Sequence, residues 1–190
     1  MSFFEKPNRK NYHKRNIEVN SYEYDEHRLV IEGCLTDHRF QEFYPATREK
    51  RPPGIIHQMM IHLLVNKTTL EIEDVHAEMP VVPHEACLET IHSVDSVKGL
   101  RVTRGFTAKV KALVGSGKGC HHLVALLTSM GPSAVQGYAA YNEQKAPHFL
   151  WAMNNMPVNT CWTWRADGPL INLIKKNEAK HQMNRQDGHE

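Results

Sequence analysis

Ile55-Ile56-His57-Gln58-Met59-Met60-Ile61-His62-Leu63-Leu64-Val65 is the stretch on which the fold turns. Its odd positions, Ile55, His57, Met59, Ile61, Leu63 and Val65, share one face if the chain is extended, because strand side chains alternate with a period of two. It therefore reads as a long apolar strand carrying one imidazole among aliphatic neighbours. Residues 48–54 before it hold two prolines, a glycine and charges and read as a loop. Asn66-Lys67 after it reads as a turn.

Working outward, residues 13–21 place His13, Arg15, Ile17 and Val19 on one face, and residues 29–37 do the same for Leu29, Ile31, Gly33, Leu35 and Asp37. The polar Tyr24-Asp25-Glu26-His27 joins these two runs into a hairpin. Residues 70–76 return as a fourth strand, with Pro80 and Pro83 ending it. Downstream the period changes. Residues 85–97 read as a helix stopped at Gly99. Phe106, Val110, Leu113 and Val114 follow helical spacing. Residues 120–130 are apolar nearly all round, the mark of a buried helix. Gly131-Pro132 closes that helix, and residues 133–142 add another. Strands first and helices after predict an α+β fold: an N-terminal antiparallel sheet of hairpins followed by two to four C-terminal helices.

The chain has 190 residues. One domain over 1–190 is expected, since domains run to ~100–200 residues. Its ordered core spans about 9–173, where the tryptophans around Cys161 offer packing, and a polar tail runs over about 175–190. The hydrophobic fraction of 41% and charged fraction of 23% are those of a globular protein, not a disordered one. A net charge of +2 gives no concentrated basic face, so nucleic acid is not an expected partner. No apolar run approaches the ~20 residues of a membrane helix, and residues 1–15 lack the apolar core of a secretory signal. A cytoplasmic protein is expected, with no membrane partner and a possible homo-oligomer. The four cysteines, Cys34, Cys87, Cys120 and Cys161, form no CxxC pair. In a reducing compartment they read as free thiols or metal ligands. Histidine occurs 13 times, more than Gly or Pro, and it is the commonest metal ligand.

Three local features carry chemistry. Gly119-Cys120-His121-His122-Leu123 sets a thiol and an imidazole at a helix start, where partial positive charge stabilises an anion. Both are zinc-type donors, and the bland alternative is a small buried Cys beside an exposed His. His57, on an otherwise apolar face, is expected to point inward with its ring nitrogens partnered, and His62, on the opposite face, to be more exposed. His13, Arg15 and Asp37 share apolar strand faces, which suggests one polar cavity. Cys161, before Asp167-Gly168, is a further candidate. Gly115-Ser116-Gly117-Lys118-Gly119 lacks the spacing of a phosphate loop, with Ala112 and Gly119 at the diagnostic positions, and reads as an interhelical turn.

Taken in order, the motifs resemble an uncharacterised bacterial domain family, domain of unknown function 2889. They are His13-Lys-Arg15-Asn-Ile17, Ile31-Glu-Gly33-Cys-Leu35-Thr-Asp37, Gly54-Ile-Ile-His57-Gln-Met59, Cys87, Gly99-Leu with Gly105-Phe106, Gly119-Cys120-His-His122-Leu123, and Cys161 with Asp167-Gly168. The likeness spans residues 9–170 and implies a bacterial source but no known reaction. Two departures stand out: Gln58 where the family commonly has Asp, and Trp162 where it commonly has His.

The residues favour a small metal-dependent enzyme acting on an organic small molecule, of hydrolase or hydratase/lyase type. Its ion would be divalent, zinc or iron, held from among His57, Cys87, Cys120, His122 and Cys161. Arg15 would bind a substrate carboxylate or phosphate, and Asp37 or His13 would handle protons. One alternative is a non-catalytic domain with a structural zinc or a merely packed Cys/His cluster. Another is a metal-free enzyme with Cys120 as nucleophile and His57 or His122 as base.

Overall fold

The computed structural model describes residues 9–144 and 158–186, and it has the α+β layout that the pattern predicts. Two compact units divide the chain, Met1–Ala140 and Tyr141–Glu190. In the first, β1 (His13–Glu23), β2 (Arg28–Arg39), β3 (Gly54–Asn66) and β4 (Ile72–Val81) form one antiparallel sheet in the order β1-β2-β3-β4. A 3-10 segment, Glu85–Val97, follows, then α1 (Phe106–Val114) and α2 (His121–Glu143).

Strict alternation makes one face of the sheet apolar. On β2, Leu29, Ile31, Gly33, Leu35 and Asp37 are all buried, and the residues between them are half-buried. On β3, Met59, Ile61, Leu63 and Val65 are buried in the same way. Leu123, Leu126, Leu127 and Met130 of α2 supply the facing layer. Each such side chain contributes about 1.5–3 kcal/mol by leaving water.

Two glycines show how closely α2 meets its neighbours, Gly33 against the sheet and Gly131 against α1. A Cβ on Gly33 would lie 2.7 Å from Met130 Sδ, and one on Gly131 would lie 2.8 Å from the Phe106 ring. Further along α2, Ser21 of β1 donates its hydroxyl to the Ser133 carbonyl at 3.1 Å. The helix thus runs antiparallel to β2, from the Asp37 end past Gly33 to β1.

Four expectations need correction. Gly131-Pro132 does not close α2, which continues through Pro132. An interior proline costs ~3 kcal/mol, and here the buried contacts on both sides of it outweigh that cost. Residues 85–97 are 3-10, not α-helical. Thr90 and Ser96 return their hydroxyls to the carbonyls three residues back, both at 2.7 Å, and such bonds compete with α-helical pairing. Pro80 does not end β4, which reaches Val81. β4 is an edge strand, where a missing N–H is tolerated. Ile55, expected inward, is exposed. His38 pairs with Ile55 while Asp37 pairs with His57, so Ile56 is an extra, bulged residue and the face alternation breaks there.

In the second unit, α3 (Pro169–Gln186) covers the described part, 175–186, of the stretch read as a polar tail. Its proline stands at the first helical position, where no N–H is needed, and Gly168 accepts from Asn172 to close the first turn. Trp162 is exposed rather than packed, and its ring lies 4.1 Å below the Arg165 guanidinium.

Among the described residues, no helix is long and apolar enough to cross a membrane.

Candidate functional site

The alternation of β2 continues through Leu35 to Asp37, so the sheet buries a carboxylate where the pattern calls for an aliphatic side chain. Asp37 is 1% exposed. Register does the rest: Arg15, Asp37 and His57 are direct cross-strand neighbours on β1, β2 and β3. Arg15 donates Nε to Oδ1 at 2.8 Å and Nη2 to Oδ2 at 2.7 Å, a bidentate pair. His13 Nε2 lies 3.1 Å from Oδ1 and His57 Nδ1 lies 3.1 Å from Oδ2. From the start of α2, His122 brings Nε2 to 3.3 Å from Oδ2. The His57 and His122 rings lie close together, with centroids 3.9 Å apart and planes tilted by 31°.

Five nitrogen atoms thus face one carboxylate. An ionised carboxylate accepts roughly four hydrogen bonds. Four of the contacts are hydrogen bonds, from Arg15, His13 and His57, and fill that capacity, while His122 Nε2 approaches only at ion-pair distance.

The electrostatics fit this arrangement. Burial acting alone would raise the Asp37 carboxyl. The hydrogen bonds and charge of Arg15, with His13, hold it down at about 2. Burial pushes His122 down to about 4, and His57 and Arg15 add to the effect against the opposing pull of Asp37. Burial likewise lowers His57. At neutral pH the cluster holds an ionised carboxylate, a guanidinium and two neutral imidazoles at His57 and His122.

Asp37, His57 and His122 are a set of possible ligands whose donor atoms all lie within 4.8 Å of one another. Cys120 is outside that set, with its sulfur 3.5 Å from the far nitrogen of His122, Nδ1. Its carbonyl accepts from Val124, so it stands just before α2. Cys87 is half-buried in the 3-10 segment and also outside the set. Cys161 is exposed in the second unit. His13 and Arg15 are partly open to solvent, with side chains 37% and 34% exposed. His57 is 14% exposed at its side chain and His62 is 37% exposed.

Sequence reasoning named Asp37 for proton transfer and cavity lining, not as a donor to an ion. Its place at the end of the buried β2 face was the signal available. Gln58 belongs to the strand position beside His57, so it points to the opposite face of the sheet and not into the cluster. Beside the bulge, Phe43, Arg51, Pro52, Pro53, Gly54, Ile55, Ile56, Val81 and Val82 line a groove of about 220 Å³.

No curated protein and no solved structure matches this chain significantly. One family model, described as a protein of unknown function, DUF2889, matches residues 13–136. That span holds the whole sheet, the 3-10 segment, α1, most of α2 and every member of the Asp37 cluster. The chain belongs to this family.

Proposed function

We propose that this protein is a metal-dependent enzyme acting on an organic small molecule, with a divalent transition metal held by Asp37, His57 and His122. The observation that carries the proposal is the convergence of those three donor atoms, from β2, β3 and α2, within 4.8 Å. Two imidazoles and one carboxylate suit zinc or iron(II) and leave coordination positions open for water and substrate. The ligands are already in the protonation states that metal binding needs. Arg15 and His13 hold the Asp37 carboxylate by hydrogen bonds, as outer partners of metal ligands do. A bound ion would polarise a carbonyl or activate water, which suits hydrolysis or hydration–elimination. Two imidazoles on one tetrahedral ion splay apart, so loading must widen the close, tilted His57–His122 pair. All four cysteines are free thiols, which suits the reducing cytoplasm.

Elemental analysis and X-ray absorption on the purified protein test this. The expected result is zinc or iron with two nitrogen ligands and one carboxylate oxygen, lost in Asp37→Ala and in His57→Ala. Failure of wild-type protein to take up zinc on titration would overturn it. So would full metal content in both variants.

A second reading rests on the Cys120–His122 contact. Cys120 Sγ, His122 Nδ1 and Nε2, and the Asp37 carboxylate form a chain with steps of 3.5 and 3.3 Å. In it Cys120 is the nucleophile, His122 the base and Asp37 the group that orients it. The unpaired N–H groups of the first α2 turn would face an oxyanion. The two readings need opposite tautomers. As a metal ligand His122 carries its proton on Nδ1, whereas as a base for the thiol it carries it on Nε2. Nitrogen NMR of the His122 ring separates them.

A further inference from the structure

We infer that the substrate of this centre is a small organic acid, and that the outer edge of the Arg15 guanidinium seats its carboxylate. A guanidinium has five N–H donors arranged along two usable edges. Asp37 occupies the side edge, through Nε and Nη2. The end edge, formed by Nη1 and the second hydrogen of Nη2, meets no acceptor among the described residues. The side chain is 34% exposed, so part of the guanidinium is open to solvent while the Nε side is held by Asp37. His13, equally open, lies beside it on β1 and shares the same carboxylate partner.

Asp37 fixes the plane and direction of the guanidinium. The free edge is therefore rigid before any ligand arrives, which lowers the entropy lost on binding. A carboxylate matches the edge in a second bidentate pair. Arg15 and Asp37 offset one another, so an ion bound to Asp37, His57 and His122 would leave the centre net positive. An anionic substrate neutralises that charge. Its carboxylate would rest on Arg15 while a neighbouring carbonyl or hydroxyl oxygen reaches the ion. That last step rests on the metal-centre reading, whereas seating of the carboxylate on Arg15 does not.

The test uses glycolate and its uncharged amide, glycolamide, titrated into the full-length protein in metal-free and zinc-loaded forms. Calorimetry gives affinity, and nitrogen NMR of the arginine side chains reports which guanidinium responds. Glycolate is expected to bind the metal-free protein, shift the Arg15 resonances and exceed glycolamide at least tenfold. Arg15→Lys keeps the charge but loses the edge, and should weaken glycolate at least tenfold. If that variant does not fold, the wild-type NMR decides alone. Equal binding of glycolate and glycolamide, no binding at the highest soluble concentration, or unmoved Arg15 resonances would each overturn the inference. Glycolate on Arg15 in a protein that never loads zinc would sustain the carboxylate seat and sink the metal centre. Zinc on the three ligands with glycolate ignoring Arg15 would do the reverse.

Discussion

Asp37 and His57 face each other across β2 and β3, and the ladder breaks immediately beyond them. The carboxylate and the imidazole are the last in-register pair on the buried face before the Ile56 bulge. Bulges often lie next to functional sites, where they re-aim side chains or end pairing. Here the aliphatic row ends at Leu35 and Met59, the polar pair follows, and the bulge closes the ladder just beyond it.

Asp37→Asn keeps the shape and removes the charge that Arg15 and three histidines share. Removing one member of a buried charged pair costs ~3–5 kcal/mol. Arg15 is partly exposed and can turn to water, so the expected loss is at the lower end or slightly below, about 2–3 kcal/mol. Urea unfolding at pH 7 measures it. A loss within about 0.5 kcal/mol, the range of an ordinary surface change, would show that Asp37 does not organise the cluster.

Stability should fall as pH is lowered from 7. His122 sits at about 4 in the folded chain against 6.5 when free. Between those values the unfolded chain binds the proton and the folded chain does not, so acid favours unfolding. His57, lowered for the same reason, acts in the same direction. Asp37, at about 2 folded against 3.8 free, adds a further loss below about pH 4. Denaturant midpoints across pH 4–7 should therefore decline steadily. His122→Gln should flatten the part of the curve between about 6.5 and 4, and an unchanged slope would count against a buried neutral His122.

Cys120→Ser asks whether the thiol is a ligand. Its sulfur faces Nδ1 of His122, away from the nitrogen that faces Asp37. If Asp37, His57 and His122 hold the proposed ion, zinc uptake should therefore survive the change, with a stability loss of about 1–3 kcal/mol for a hydroxyl placed where the thiol was. Metal analysis and thermal melting on the same sample settle it. Lost zinc in a folded variant would add Cys120 to the ligand set.

Gly33→Ala tests the helix–sheet contact. The new methyl would meet Met130 Sδ at 2.7 Å and Leu126 Cδ1 at 3.0 Å. Overpacking of this kind costs ~1–3 kcal/mol, and the pliable Met130 side chain keeps the expected value near the low end. Urea unfolding would show it. A neutral or stabilising result would mean that α2 rides higher over β2 than described.

The sheet was legible because its signal is local. Leu29 to Asp37 and Met59 to Val65 alternate without a slip, and that alternation is what the strands obey. The same alternation placed Arg15, Asp37 and His57 inward, and the hairpin register then made them neighbours. His122 was legible as a donor but not as a partner of Asp37, because the closeness of α2 to the sheet depends on Gly33, whose role is spatial. Nor did local pattern show that Pro132 would be carried inside a helix or that 85–97 would wind as 3-10. In both cases packing and side-chain hydroxyls outweighed propensity. The bulge at Ile56 left no trace in composition, since Ile55 and Ile56 are both good strand residues.

That bulge also insulates the Asp37 cluster from the loop before it. An extra residue already separates Gly54 and Ile55 from the phase of His57. Insertions or deletions between Arg39 and Gly54 are therefore absorbed ahead of the imidazole. Phe43, Pro52 and Pro53, which shape the adjoining groove, all belong to that adjustable segment. A change of length or sequence there would remodel the groove beside the bulge while the donor atoms of Asp37, His57 and His122 keep their spacing.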